Sequence, residues 1–215
     1  MGYQKAGFYV VGVDNKPQPH YCGDEFHQAD ALTYPLDGFD VIHASPPCQK
    51  FSAMQNIHKN QSKHPDLIEP MRKRLIESNS PYIIENVPGA PLINYIMLCG
   101  TMFFLPIIRH RIFESNIPMP LLMPDCNHRE VYDPWHGGEQ ARNEREKLSS
   151  AMGIDWFMTR PEVREAIPPA YTFFIGTQLM EILKPKINVK KTKCGGQFYA
   201  GDWCRECSEA ERCPL

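Results

Sequence analysis

Cys48 closes the run Ala44-Ser45-Pro46-Pro47-Cys48-Gln49, with Phe51-Ser52 just beyond it. A thiolate is the most readily activated side-chain nucleophile. The two prolines fix φ ahead of it, so the thiol would be positioned before a substrate arrives. Taken alone, the residue reads more readily as a part-buried cysteine in a turn. Glu85 and Asn86, within Ile84-Glu85-Asn86-Val87-Pro88-Gly89, pair an amide with a carboxylate that could hold or protonate a heterocycle. Arg109 and Arg111 flank His110. On a strand those two arginines share one face. A strand-end glutamate and an Arg-x-Arg pair are each commonplace, so the weight lies in their combination.

The chain has eight cysteines, and four of them crowd into the tail as Cys194-x9-Cys204-x2-Cys207-x5-Cys213. Four thiols in a short polar segment fit a tetrahedral zinc site. So little apolar sequence surrounds them that order would need the metal. Only one Cys-x-x-Cys pair is present, so a disordered tail or adventitious disulfides stay open. Lys190, Lys191 and Lys193 precede the cluster and could meet a nucleic-acid backbone.

Short apolar runs would position the reactive residues. Phe8–Val13, Phe39–Ala44 and Tyr82–Ile84 read as buried strands, and each stops at polar residues: Asp14, Ser45 to Cys48, and Glu85-Asn86. That is the pattern of a parallel α/β sheet whose carboxyl edge carries chemistry. Leu67, Ile68, Met71, Leu75 and Ile76 fall on one helical face, with Pro70 suited to the first turn. A second helix is expected after Pro168-Pro169, with Tyr171, Phe174, Ile175, Leu179, Ile182 and Leu183 as its apolar stripe and Pro185 as its stop. Four divisions result: a core over 1–113, a loop-rich insert over 114–160, a returning helix over 161–183, and a basic Cys-rich tail over 184–215.

Composition bounds the classes. With 215 residues, 42% hydrophobic and 22% charged, the chain suits one globular core with a small appendage. Its net charge of −2 excludes a polycation, so nucleic-acid contact would need a local basic surface. No apolar run approaches the ~18 residues of a spanning helix, and the N-terminus lacks a secretory signal. The expectation is no membrane and a reducing cytoplasm, in which cysteines serve metals or catalysis.

In this order the motifs resemble the DNA cytosine-5 methyltransferases, over roughly residues 1–183. Pro46-Pro47-Cys48-Gln49 with Phe51-Ser52 is similar to that family's nucleophile motif, and Glu85-Asn86-Val87 to its ENV motif. Leu98-Cys99-Gly100-Thr101-Met102-Phe103 is similar to the segment after ENV, and Arg109-His110-Arg111 to its Arg-x-Arg motif. Ala166-Ile167-Pro168-Pro169-Ala170-Tyr171 is similar to its C-terminal motif, and Met152-Gly153-Ile154-Asp155-Trp156 resembles compact phage and prophage members. The resemblance implies a Rossmann-like class I methyltransferase sheet. It implies S-adenosylmethionine as cofactor and double-stranded DNA as partner, in a phage or restriction-modification setting within a bacterial or phage-infected cell. Cys48 would add to C6 of a flipped cytosine. Glu85 would engage N3 and the exocyclic amine, and Arg109 and Arg111 would hold the base and its surroundings. Asp14 would face the cofactor ribose and Asp30 the adenine amine, with Pro46 beside them; a turn aspartate and a helix cap are the plainer readings of the two acids.

The family opens with a strand and a Phe-x-Gly-x-Gly loop, and Met1–Phe8 resembles the helix that comes after them. The resemblance therefore implies an N-terminally incomplete sheet, completed by residues upstream of Met1 or by a separate polypeptide supplying the strand. A catalytically inactive DNA-binding relative, or an enzyme using the same thiol adduct with another one-carbon donor, are the alternatives. The insert would read DNA, with Arg129, Arg142, Arg145 and Lys147 near phosphates and His128 or His136 near bases.

Overall fold

The computed structural model describes residues 1–47, 66–120, 122–129 and 144–183. In chain order the elements are α1 (Gly2–Lys5), β1 (Val11–Asp14), β2 (Glu25–Gln28), β3 (Ile42–Ala44), α2 (Ile68–Glu77), β4 (Tyr82–Asn86) and β5 (Ile96–Leu98). A 3-10 turn over Gly100–Phe103 follows, then β6 (Arg111–Ser115), α3 (Glu144–Ala151), α4 (Arg160–Glu165) and α5 (Pro169–Leu183). Two compact units divide the chain, Met1–Gln178 and Leu179–Leu215. No helix among the described residues is long and apolar enough to cross a membrane.

The class is α/β, as expected, but the sheet is mixed and comes in two pieces. β1 and β2 pair in parallel as one ladder. The other has the order β3-β4-β6-β5. There β3 and β4 run parallel, while β6 runs antiparallel to both β4 and β5. Strand direction leaves no trace in the apolar runs, because a buried strand reads alike either way.

All five residues of β4 are buried, so Glu85 and Asn86 belong to the strand rather than to the loop after it. α2 covers this sheet with Ile68, Met71, Arg72 and Leu75, an i, i+3, i+4, i+7 face. Arg72 thus joins the buried stripe, while Ile76 is left exposed. What allows a buried guanidinium is Glu114 of β6. Arg72 Nε and Nη2 donate to its two carboxylate oxygens at 2.7 and 2.8 Å, and Nη2 also donates to Pro91 O at 2.8 Å. The Ile93 N–H reaches the same carboxylate at 2.8 Å. Charge and donors are therefore satisfied together, as a buried pair requires.

The segment expected to be loop-rich, 114–160, contains the helix α3, and α4 begins at its last residue. Leu148, Ala151 and Met152 pack with Ile154, Val163 and Ile107 in a small core of their own. Each large apolar side chain buried this way contributes about 1.5–3 kcal/mol. Thr159 and Glu162 cap the start of α4, with the Thr159 hydroxyl donating to Glu162 at 2.7 Å. α5 docks on β6 through Tyr171, whose hydroxyl donates to Arg109 O at 2.5 Å. It also meets Phe103 through Tyr171 and Phe174, and it contacts α1. A Cβ on Gly2 would meet Pro169 O at 2.3 Å, so only glycine admits this approach.

Candidate functional site

Parallel pairing of β3 and β4 sets Ala44 beside Ile84, which brings Ser45-Pro46 and Glu85-Asn86 to the same carboxyl edge. Asn86 is buried and fastens the two segments. Its amide donates to Pro46 O at 2.9 Å, and its carbonyl oxygen accepts from Val87 N–H at 3.0 Å. Such a buried amide must find partners on both sides. The peptide leading into Cys48 is thereby held from β4. Cys48 itself lies outside the described residues.

Glu85 is 8% exposed, and Arg111 Nε lies 3.0 Å from its Oε1. Burial raises the Glu85 carboxyl above the ordinary range, while Arg111, a hydrogen bond from Ser45 and the charge of Arg109 pull the other way. Desolvation prevails, which favours the protonated acid. Ser45 is also the end of a chain of contacts from α1. Tyr3 Oη lies 2.6 Å from His43 Nδ1, and His43 Nε2 lies 3.1 Å from Ser45 Oγ. Burial pushes His43 down to about 4 and pushes the Tyr3 phenol up. A neutral imidazole has one donor and one acceptor. With the Tyr3 hydroxyl donating to Nδ1, Nε2 donates to Ser45, and the Ser45 hydroxyl donates to Glu85.

The two arginines of the Arg-x-Arg motif part company. Arg111 goes to Glu85, whereas Arg109, 2% exposed, donates through Nη2 to Arg164 O and Ala166 O, both at 2.5 Å. Its guanidinium thus reaches the backbone where α4 stops, and its charge also acts on Glu85. Asp14 ends β1 opposite Gln28, and Asp30 lies two residues past β2. One oxygen of each serves its own turn, Asp14 accepting from Lys16 N–H and Asp30 from Leu32 N–H, both at 2.8 Å. Both acids stand at the carboxyl edge of one parallel ladder. Cys194, Cys204, Cys207 and Cys213 lie outside the described residues, as do Arg142, His136 and Lys190 to Lys193.

A second constellation was not foreseen as a unit. Cys99, His110, Cys126 and His128 bring four ligand atoms within 4.8 Å of one another, a set that can hold a metal ion. Cys99 Sγ is 3.6 Å from His128 Nε2, and Cys126 Sγ is 3.8 Å from His110 Nε2. The two imidazoles meet edge to face, 4.9 Å between centroids. Burial lowers His110, with His128 and Arg111 adding repulsion. Burial and the Cys99 thiol raise Cys126. Cys126-x-His128 was the signal, but its partners stand far back in the chain, at the end of β5 and the start of β6.

No family model matches the chain, and no curated protein matches it.

Proposed function

We propose that the protein is a DNA cytosine-5 methyltransferase acting through a covalent Cys48 adduct. The observation that carries this reading is the buried, burial-raised Glu85, paired with Arg111, on the same sheet edge as the Pro46-Pro47 peptide that leads into Cys48. An acid whose protonated form is favoured by burial can engage N3 of cytosine as the thiolate adds to C6. The C6–S bond forms, the ring electrons shift toward N3, and C5 becomes nucleophilic. After methyl transfer, loss of the C5 proton breaks the C6–S bond and frees the thiolate. Arg111 and the Ser45 hydroxyl at the end of the Tyr3–His43–Ser45 chain hold the Glu85 carboxyl in place. The target base must leave the stack to reach these groups.

S-adenosylmethionine is the methyl donor of this reading and supplies an electrophilic methyl group. The acids that would hold it are Asp14 and Asp30. What supports them is their shared place at the carboxyl edge of β1 and β2, where ribose hydroxyls and an exocyclic amine find acceptors in doubly wound sheets. Among the described residues β1 pairs only with β2, and β3 only with β4. A single parallel strand between β1 and β3 would give the order β2-β1-strand-β3-β4-β6-β5, a doubly wound sheet closed by one antiparallel strand. Residues 114–160 would read the DNA.

The test is to incubate the full chain with duplex DNA and methyl-labelled S-adenosylmethionine, then to analyse the nucleosides. The reading expects label in 5-methylcytosine, lost in Cys48→Ser. Absence of transfer by the wild-type chain, or transfer retained in Cys48→Ser, contradicts it.

A further inference from the structure

We infer that Cys99, His110, Cys126 and His128 form a structural zinc site that ties residues 125–129 to β5 and β6. The inference does not depend on the methyl-transfer reading. Zinc with two thiolates and two imidazoles prefers a tetrahedron, with Zn–S about 2.3 Å and Zn–N about 2.0–2.1 Å, so neighbouring ligand atoms stand about 3.3–3.8 Å apart. The two sulfur–nitrogen separations, 3.6 and 3.8 Å, match that spacing. All four ligands come from the chain, which is the closed form of a structural centre. Calcium and magnesium, which take oxygen ligands, do not suit it.

The surroundings of Cys99 are those of a metal-bound thiolate. Thr101 Oγ1 donates to its sulfur at 3.4 Å, which treats sulfur as an acceptor, while the Met102 N–H goes to the Cys99 carbonyl at 3.1 Å. The Asn127 N–H then closes on Thr101 Oγ1 at 3.2 Å, so the ligand loop and the outer shell support each other. A close approach makes this possible: Gly100 lies where a Cβ would meet Ile107 O at 2.4 Å. On binding, two thiols release protons to solvent. Dication, two thiolates and two neutral imidazoles then sum to zero charge, which lessens the cost of partial burial. Residues 125–129 carry no helix or strand, so the metal is what gives them a fixed place. His110 sits between Arg109 and Arg111, so the same tie steadies the backbone that presents Arg111 to Glu85.

The tail cysteines must be separated from this site. In the full chain carrying Cys194→Ser, Cys204→Ser, Cys207→Ser and Cys213→Ser, purified reduced and dialysed without metal, elemental analysis should find one zinc per chain. Cobalt added to the zinc-stripped protein should give the visible bands of a tetrahedral site. Adding Cys126→Ser or His128→Gln to that background should abolish both signals. His128 is exposed, so its variant should keep the far-ultraviolet dichroism of the parent. A tail variant that retains no zinc, full retention in both added variants, or a Cys99–Cys126 disulfide in anaerobically purified protein would overturn the inference.

Discussion

Arg111 Nε lies 3.0 Å from Glu85 Oε1, across the antiparallel pair in which Glu85 faces Phe113 and Asn86 faces Ile112. Both groups are largely removed from water, and the cation does not fully offset the desolvation of the carboxyl. The outcome is a carboxyl oriented by a charge, with its protonated form favoured by burial.

Glu85→Gln should slow methyl transfer by about 10²-fold or more, the usual contribution of a positioned general acid, with little change in the folded structure. The wild-type rate should also fall as pH rises through the Glu85 pKa, because the folded-state value is raised and the protonated form is the active one. That limb should lie above the ordinary carboxylate range and vanish in Glu85→Gln. A pH–rate profile of both proteins checks it, and an unchanged limb in the variant would remove Glu85 from the acid role.

Breaking the Arg72–Glu114 pair should be costly for stability. Arg72→Met leaves a buried carboxylate with the Ile93 N–H as its remaining neighbour among these groups, at a cost of about 3–5 kcal/mol. The double variant Arg72→Met with Glu114→Met should recover most of that loss. Urea unfolding measures both; a single variant within about 1 kcal/mol of wild type, a difference typical of exposed pairs, would show that the pair contributes little.

The α4 cap should make the fold acid-sensitive. A hydrogen bond with His20, then the Thr159 contacts, hold Glu162 down at about 2, against an ordinary 4.5. Because the folded value is depressed, its stabilisation is present above about pH 4.5 and is lost as pH falls toward about 2. Wild type should be more stable than Glu162→Gln at neutral pH, and the gap should close across that window in thermal melts followed by circular dichroism. A gap that persists below pH 2 would contradict the assignment.

Much of the β3–β4 edge is legible in the residues. Apolar runs stopping before Ser45 and Glu85 mark two strands, although β4 runs on through Asn86, and burial of Ile83 and Ile84 follows from their type. β2 was not legible, because Glu25-Phe26-His27-Gln28 has one apolar residue and is a strand only through pairing with β1. β5 is three residues long, too short for periodicity. Alternate residues of a strand share a face, but Arg109 lies before β6 begins, and its guanidinium goes to Arg164 O and Ala166 O. The Cys/His cluster escaped because its ligands run Cys99-x10-His110-x15-Cys126-x-His128, a spacing set by the β5–β6 hairpin and not by any local turn. Cysteine counting drew attention to the tail.

The most direct test of the central claim is trapping on duplex DNA containing 5-fluorocytosine, where the C5 substituent cannot leave as a proton. With S-adenosylmethionine present, the account predicts a denaturation-resistant protein–DNA complex whose cross-linked peptide contains Cys48, absent in Cys48→Ser and slowed in Glu85→Gln. A complex attached through another residue, or none with the intact chain, would contradict it.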